Sequence, residues 1–235
     1  MSTATAPAAD GLISARSHFL LRRLHSLTGL VFGGYLIVHL LVNATIAQGG
    51  EVYQTQVDKI HSLPFLPLVE WTAIYLPLLY HTVYGIYIAL TGQPNVGYYH
   101  YGKNWAYLLQ RVSAAFIVLF VLFHVLSFKY GLFGGNYAFT AHGGAMHSVA
   151  VHFDQSPFIS WIVYPLGILS SCFHLANGFW TAAITWGLTI SKGSQRRFGY
   201  VCMGLGVALF IAGMLAVFAA IRLDPAQHPV GMVVH

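Results

Sequence analysis

The sequence predicts an all-α integral membrane protein of five transmembrane helices, and three observations carry that prediction. Only 7% of the 235 residues are charged while 57% are hydrophobic, and the mean hydropathy is +0.65. A water-soluble domain carries about a quarter charged residues, so this chain cannot clothe a water-facing surface. Five apolar stretches also reach the length of about 20 residues that a helix needs to cross a bilayer. Finally, the lysines and arginines gather on alternate connections between those stretches.

The spans are expected near Ser26–Ala47, Val69–Thr91, Trp105–Phe128, Phe158–Leu188 and Phe198–Ile221. The fourth is longer than a bilayer requires, which suits a tilted helix or one that begins as an interfacial turn. Gln48–Leu68, Gly92–Asn104, Lys129–Pro157 and Ser191–Arg197 read as polar or glycine-rich connections. Met1–Asp10 are small and polar, without the charged-then-apolar order of a signal peptide. Residues 1–16 therefore read as a disordered tail, 17–222 as the membrane domain and 223–235 as a C-terminal tail.

Arg16, Arg22, Arg23, Lys103, Arg111, Lys192, Arg196 and Arg197 belong to the N-terminus and the even connections. Only Lys59, Lys129 and Arg222 fall on the other side, which places the N-terminus in the cytoplasm. The net charge of +5 is thus a membrane-orientation signal. No basic stripe is interleaved with stacking aromatics, so no nucleic-acid partner is expected. Cys172 and Cys202 lie inside apolar segments and read as packing residues. Trp71, Trp105, Trp180 and Trp186 read mostly as interfacial or lipid-facing.

Of thirteen histidines, His39, His81, His124 and His174 lie well inside predicted spans, one on each of the first four. An ionisable side chain in the membrane is costly and faces the protein interior or a site. An interhelical hydrogen bond explains a single such residue equally well. Four on successive helices point instead to axial ligands, because neutral imidazole binds haem iron and two imidazoles close its coordination for electron transfer. No Cys-x-x-Cys-His occurs, so covalent c-type attachment is excluded, and two isolated cysteines cannot carry an iron–sulfur cluster.

Depth sorts the four into pairs. At about 1.5 Å rise per residue, His39 lies ~12 Å and His124 ~6 Å from the outer ends of their helices, whereas His81 and His174 lie ~17 Å and ~24 Å away. His39 with His124 then suits an outer b-type haem and His81 with His174 an inner one, so the bundle encloses two. His81…Gly85 and His174…Gly178 repeat a histidine with a glycine one turn on, which clears flat space for a porphyrin. A close helix contact accounts for a lone glycine equally well. Haem propionates want cations at helix ends, and Arg22, Arg23 and Arg111 are the candidates. Arg111 serves equally as a snorkelling side chain. His142, His147 and His152 recur every five residues and read as solvated loop, while His18 and His25 sit at the cytoplasmic entry of the first helix.

RRLHSLTG (Arg22–Gly29), LIVHLLVN (Leu36–Asn43), LPLLYHTVYGIYIALTG (Leu76–Gly92), LQRVSAAF (Leu108–Phe116) and FHLANGFWTAAITWGLTISKGSQRR (Phe173–Arg197) stand in this order. Together they resemble the cytochrome b membrane anchor of succinate dehydrogenase, in the class with one five-helix anchor polypeptide and two haems. The resemblance runs from about Ser17 to Ile221. It implies docking of a flavoprotein subunit and an iron–sulfur subunit on the cytoplasmic side of a bacterial-type cytoplasmic membrane, with no succinate site on this chain. It further implies electron transfer through two haem b groups to a quinone, menaquinone in this class. Its proximal-haem ligands fall on His81 and His174, and its distal-haem ligands on His39 and His124.

Related two-haem fumarate reductases carry a glutamate two residues before the fourth-helix ligand, where this chain has Cys172. That departure favours succinate oxidation as the physiological direction. The resemblance places the quinone near the distal haem, where Gln54, Asp58 and Glu70 are the available polar groups. Loop solvation and helix capping explain those three equally well. Competing readings are a quinol:fumarate reductase anchor, the b anchor of another respiratory dehydrogenase, and a transporter or structural bundle with intramembrane histidines.

Overall fold

The computed structural model describes residues 15–92, 102–132 and 138–227. The tails expected at the two ends, with His228 and His235, and His100 between the second and third spans, lie largely or wholly outside that range. Helices α1 (Ala15–Ala44), α2 (Gly50–His61), α3 (Leu66–Thr91), α4 (Gly102–Tyr130), α5 (Ala141–Asp154), α6 (Ile159–Thr185) and α7 (Lys192–Ile221) follow in order. Five of them, α1, α3, α4, α6 and α7, are long and apolar enough to cross a membrane.

Several expectations from the sequence shift. Helix α1 already runs from Ala15, so Arg16, Arg22 and Arg23 ride on it ahead of the apolar stretch. Helix α7 starts at Lys192 instead of Phe198, because Ser191 caps it by accepting the Ser194 N–H at 3.1 Å. The connections Gln48–Leu68 and Lys129–Pro157 are not simple loops. Each folds a helix, α2 and α5, that packs against the other at the end of the bundle where α1 finishes. We call this the far end, and the end where α1 begins the entry end.

Spans α3 and α6 open in the same way. A π-helical turn, Trp71–Tyr75 in one and Ile159–Val163 in the other, precedes Pro77 and Pro165 by two residues. Proline lacks the N–H that an α-helix needs and crowds the preceding turn, and the wider turn absorbs that clash. At its other end α6 stops in a left-handed Gly187, φ 74°, with Leu188 N–H donating to Ala183 O at 2.9 Å. That is a Schellman closure, and only glycine adopts its conformation without strain.

The backbones pack chiefly as α6 on α7, α4 on α6, and α1 on both α3 and α7. Small residues allow the closest approach: a β-carbon on Gly206 would lie 3.3 Å from Cys172 O, and one on Gly213 2.7 Å from Ile168 Cγ2. Cys172 and Cys202 are both buried there, as packing residues should be. Outward positions such as Val38, Leu79, Leu119 and Ile211 are exposed, as a lipid-facing surface requires.

Candidate haem-binding centre

The first four spans bring the intramembrane histidines together two by two. His39 on α1 faces His124 on α4 with ring centroids 5.9 Å apart and planes at 81°. His81 on α3 faces His174 on α6 at 6.2 Å and 86°. A metal–imidazole bond is about 2 Å long and the ring centre lies roughly 1 Å behind the nitrogen, so two imidazoles across one metal hold their centroids about 6 Å apart. Both pairs meet that spacing. They join α1 to α4 and α3 to α6, which are not the principal backbone neighbours, so the side chains bridge gaps that the backbone packing leaves.

Each ring is held through Nδ1. His81 donates to His25 O at 2.9 Å, and His174 to Gln110 O at 3.1 Å with Ser113 Oγ at 3.4 Å. His124 Nδ1 lies 3.0 Å from the Tyr164 hydroxyl, and His39 Nδ1 3.5 Å from that of Tyr35. With Nδ1 engaged on all four, Nε2 is the nitrogen left for a metal, and such a bond fixes both tautomer and ring orientation. Among the described residues, no group of three or more His, Cys, Asp or Glu side chains could hold an ion by itself. The donor set is therefore two pairs of facing imidazoles, which fits haem and not a tetrahedral zinc site.

The glycines divide differently from expectation. Gly85 faces the His25 ring, 3.1 Å from where its β-carbon would stand, while Gly178 meets only Gln110 Nε2 at 3.8 Å. Two glycines on α1 are tighter. A β-carbon on Gly29 would lie 2.5 Å from His81 Cε1, and one on Gly33 2.6 Å from Leu175 Cδ1.

At the entry end His25 stacks on His81, centroids 4.0 Å and planes 11° apart. Arg111 donates to Gly92 O at 3.0 Å and Ile88 O at 3.3 Å and pairs with the Tyr107 hydroxyl, closing the C-terminus of α3. Arg23 lies over the rings of Phe19 and Trp186, and Arg22 is exposed. Two of the four tryptophans do more than face lipid: Trp180 donates to Gln195 O at 2.8 Å and Trp186 to Ser26 Oγ at 3.0 Å.

At the far end Gln54 stitches α2 to α5, donating to Ala141 O at 2.6 Å and accepting from Ala145 N–H at 3.0 Å. It also reaches Asp58 Oδ1 at 2.9 Å, and Asp58 in turn lies 3.9 Å from His142 Nδ1. Glu70 stands apart from these two, within electrostatic reach of Tyr35 and Lys129.

The reading of His142, His147 and His152 as solvated loop holds for His142, which is exposed and non-helical where α5 kinks, and is corrected for the other two. His147 and His152 lie in the helical part of α5, and His152 is buried at 5% and bonded through Nε2 to the Tyr164 hydroxyl at 2.8 Å. Sequence reasoning also passed over Gln110. Its side chain donates to His174 O at 3.1 Å and accepts from Asn177 Nδ2 at 2.8 Å. Its signal was an uncharged polar residue beside Arg111, one turn into a span.

No family model matches the chain. It is 39% identical over 214 residues to the succinate dehydrogenase cytochrome b558 subunit of Bacillus subtilis (strain 168), covering 88% of this chain and 99% of that protein.

Proposed function

This chain belongs to the cytochrome b membrane-anchor subunits of succinate dehydrogenase, and we propose on that premise that His39 with His124, and His81 with His174, each hold one haem b. The observation that carries this reading is the facing geometry: two imidazole pairs at 5.9 and 6.2 Å, each ring anchored by Nδ1. As a subunit of the oxidoreductase complex it partners the other succinate dehydrogenase subunits and itself crosses the membrane several times.

When bound, the two haems supply one-electron carriers at two depths of the bilayer. The chain's own part is to hold and insulate. Carbonyls of His25 and Gln110 fix the rings of His81 and His174 near the entry end, and Tyr35 and Tyr164 meet the rings of His39 and His124 near the far end. Arg22, Arg23 and Arg111 lie toward the entry end, where propionate carboxylates would find cations. Arg111 is already committed to the carbonyls of α3, so it serves that role as a capping group with spare donors. Gly178 has space beside it for a flat macrocycle, while Gly85 makes room for the His25 ring.

The entry end is proposed as the cytoplasmic face of a bacterial-type inner membrane, where the flavoprotein and iron–sulfur subunits dock. The charge asymmetry of the connections supports that orientation. The quinone, menaquinone by the resemblance, is placed near the far end. Of the three candidate residues, Glu70 lies within electrostatic reach of Tyr35, which meets the His39 ring; Asp58 is half-exposed on α2, and Gln54 is occupied in joining α2 to α5. Cys172 packs against α7 and offers no carboxylate, in keeping with succinate oxidation as the working direction.

Replacing each histidine by alanine in the assembled complex tests the ligand sets. His39→Ala and His124→Ala should abolish the same b-type spectral component, and His81→Ala and His174→Ala the other. Crossed losses would sink the pairing, and quinone reduction unchanged in Glu70→Gln and Asp58→Asn would remove those residues from the quinone site.

A further inference from the structure

His152 is a buried imidazole that belongs to neither proposed ligand pair. It lies on α5, outside the spans, with its ring 4.0 Å from that of Phe128 and 5.4 Å from that of Phe153. An imidazole in such surroundings is costly unless its nitrogens are bonded. Its Nε2 lies 2.8 Å from the Tyr164 hydroxyl, and that hydroxyl lies 3.0 Å from His124 Nδ1. Tyr164 is itself only 5% exposed. The turn between α5 and α6 fixes the arrangement, because Ser160 Oγ, almost fully buried, donates to Phe153 O at 2.8 Å.

We propose that His152, acting through Tyr164, is a positioning residue for His124: the line His124–Tyr164–His152 fixes the His124 tautomer and raises the basicity of its Nε2. This rests on the reading of His124 as an iron ligand.

Proton accounting gives the line one direction. If His124 Nε2 turns to a metal, Nδ1 carries the proton and donates to the Tyr164 oxygen. A phenol has a single proton, and Tyr164 passes its hydrogen bond on to His152 Nε2, which must then be unprotonated. Burial agrees, since it lowers the pKa of His152 from 6.5 to about 4. Each bond in such a chain polarises the next. The pair near the entry end differs, because His81 and His174 donate to backbone carbonyls that pass nothing on. His39 has Tyr35 at 3.5 Å, a longer contact within its own helix. One of four histidines is therefore singled out for a two-step relay that starts on a helix outside the membrane spans. A more basic ligand favours the oxidised metal, so the relay should hold down the potential of the haem between His39 and His124.

The test uses the assembled complex with its flavoprotein and iron–sulfur subunits. Tyr164→Phe, His152→Leu and His152→Gln are compared by redox titration of both b-type components and by haem retention. Tyr164→Phe should raise the midpoint of the component that His39→Ala abolishes and weaken retention of that haem about 10-fold. His152→Leu should shift it in the same direction by less. His152→Gln, whose amide oxygen accepts from Tyr164, should restore the wild-type midpoint. The component lost in His81→Ala should stay fixed throughout, which certifies an intact fold. An unmoved midpoint in Tyr164→Phe, an equal shift of both components, or His152→Gln behaving like His152→Leu would each overturn the relay. Should Tyr164→Phe not assemble, the leucine and glutamine variants of His152 carry the comparison. Failure of the ligand reading is separate and visible: His124→Ala would then keep both components.

Discussion

Gly29 on α1 and His81 on α3 meet so closely that a β-carbon on Gly29 would stand 2.5 Å from His81 Cε1 and 2.7 Å from its Nδ1. The same ring donates to His25 O one turn earlier on α1. The position of His81 is thus set by a missing side chain as much as by a hydrogen bond. Gly29→Ala should push the ring off its carbonyl partner and diminish the spectral component assigned to His81 and His174, leaving the other. Gly34→Ala, with nothing within 4 Å of its β-carbon, should leave both components intact and stabilise α1 by up to about 1 kcal/mol. Equal spectra for the two variants would show that the close approach does not govern the site.

Gln110 ties α4 to α6 through three groups: its carbonyl receives His174 Nδ1, and its amide bonds His174 O and Asn177. Gln110→Leu keeps the first and removes the other two, stranding the Asn177 amide in apolar surroundings. A stability loss of about 1–3 kcal/mol is expected, read as a lower thermal midpoint in detergent with the His39/His124 component unchanged. A neutral result would mean that the backbone contact alone orients His174.

Arg111 holds two carbonyls at the end of α3 in a planar fork. Lysine cannot reproduce two such bonds from one nitrogen at the same geometry. Arg111→Lys should therefore increase protease cleavage or hydrogen exchange near Gly92, and Arg111→Met more so. Wild-type protection in both variants would assign the residue to a haem propionate or a partner subunit instead.

Acid should loosen the far end through His152. Its folded pKa of about 4 lies below its ordinary 6.5, so the unfolded chain takes the proton first as the pH falls. The contribution of His152 to stability is constant above about 6.5 and declines towards 4, by up to about 3 kcal/mol at the bottom of that window. Thermal unfolding at pH 7 and pH 5 should differ by less in His152→Phe than in wild type. An identical pH dependence in the two proteins would assign the acid sensitivity to other groups.

The five spans were legible in the sequence because hydropathy and length decide them without tertiary information, and the described residues form five such helices. Their ends were not, because capping and amphipathic stretches decide those: Ser191 starts α7 six residues early, and the arginines of α1 extend it beyond its apolar stretch. Helices α2 and α5 were hidden in connections whose polar residues read as loop, although Gln54 bonds the backbone of α5. The proximity of His39 to His124 and of His81 to His174 follows the depth argument, since a rise per residue carries across a bilayer with little error. What depth cannot supply is the sideways neighbour. His152 lies twelve residues from Tyr164 across a turn, and a spacing of five from His147 marked it as loop until packing placed it against Phe128. Gly29 was likewise silent, since nothing in its own sequence neighbourhood names the ring that presses on it.

The proposed function requires two haems held in two histidine pairs and electron transfer from the succinate dehydrogenase partners to a quinone. Purifying the complex through this chain and recording reduced-minus-oxidised spectra with haem content tests both together. The expected result is co-purified flavoprotein and iron–sulfur subunits, two haem b per chain, and two components reduced by succinate and reoxidised by a menaquinone analogue. One haem per chain, or b-type bands that succinate leaves oxidised, would contradict it.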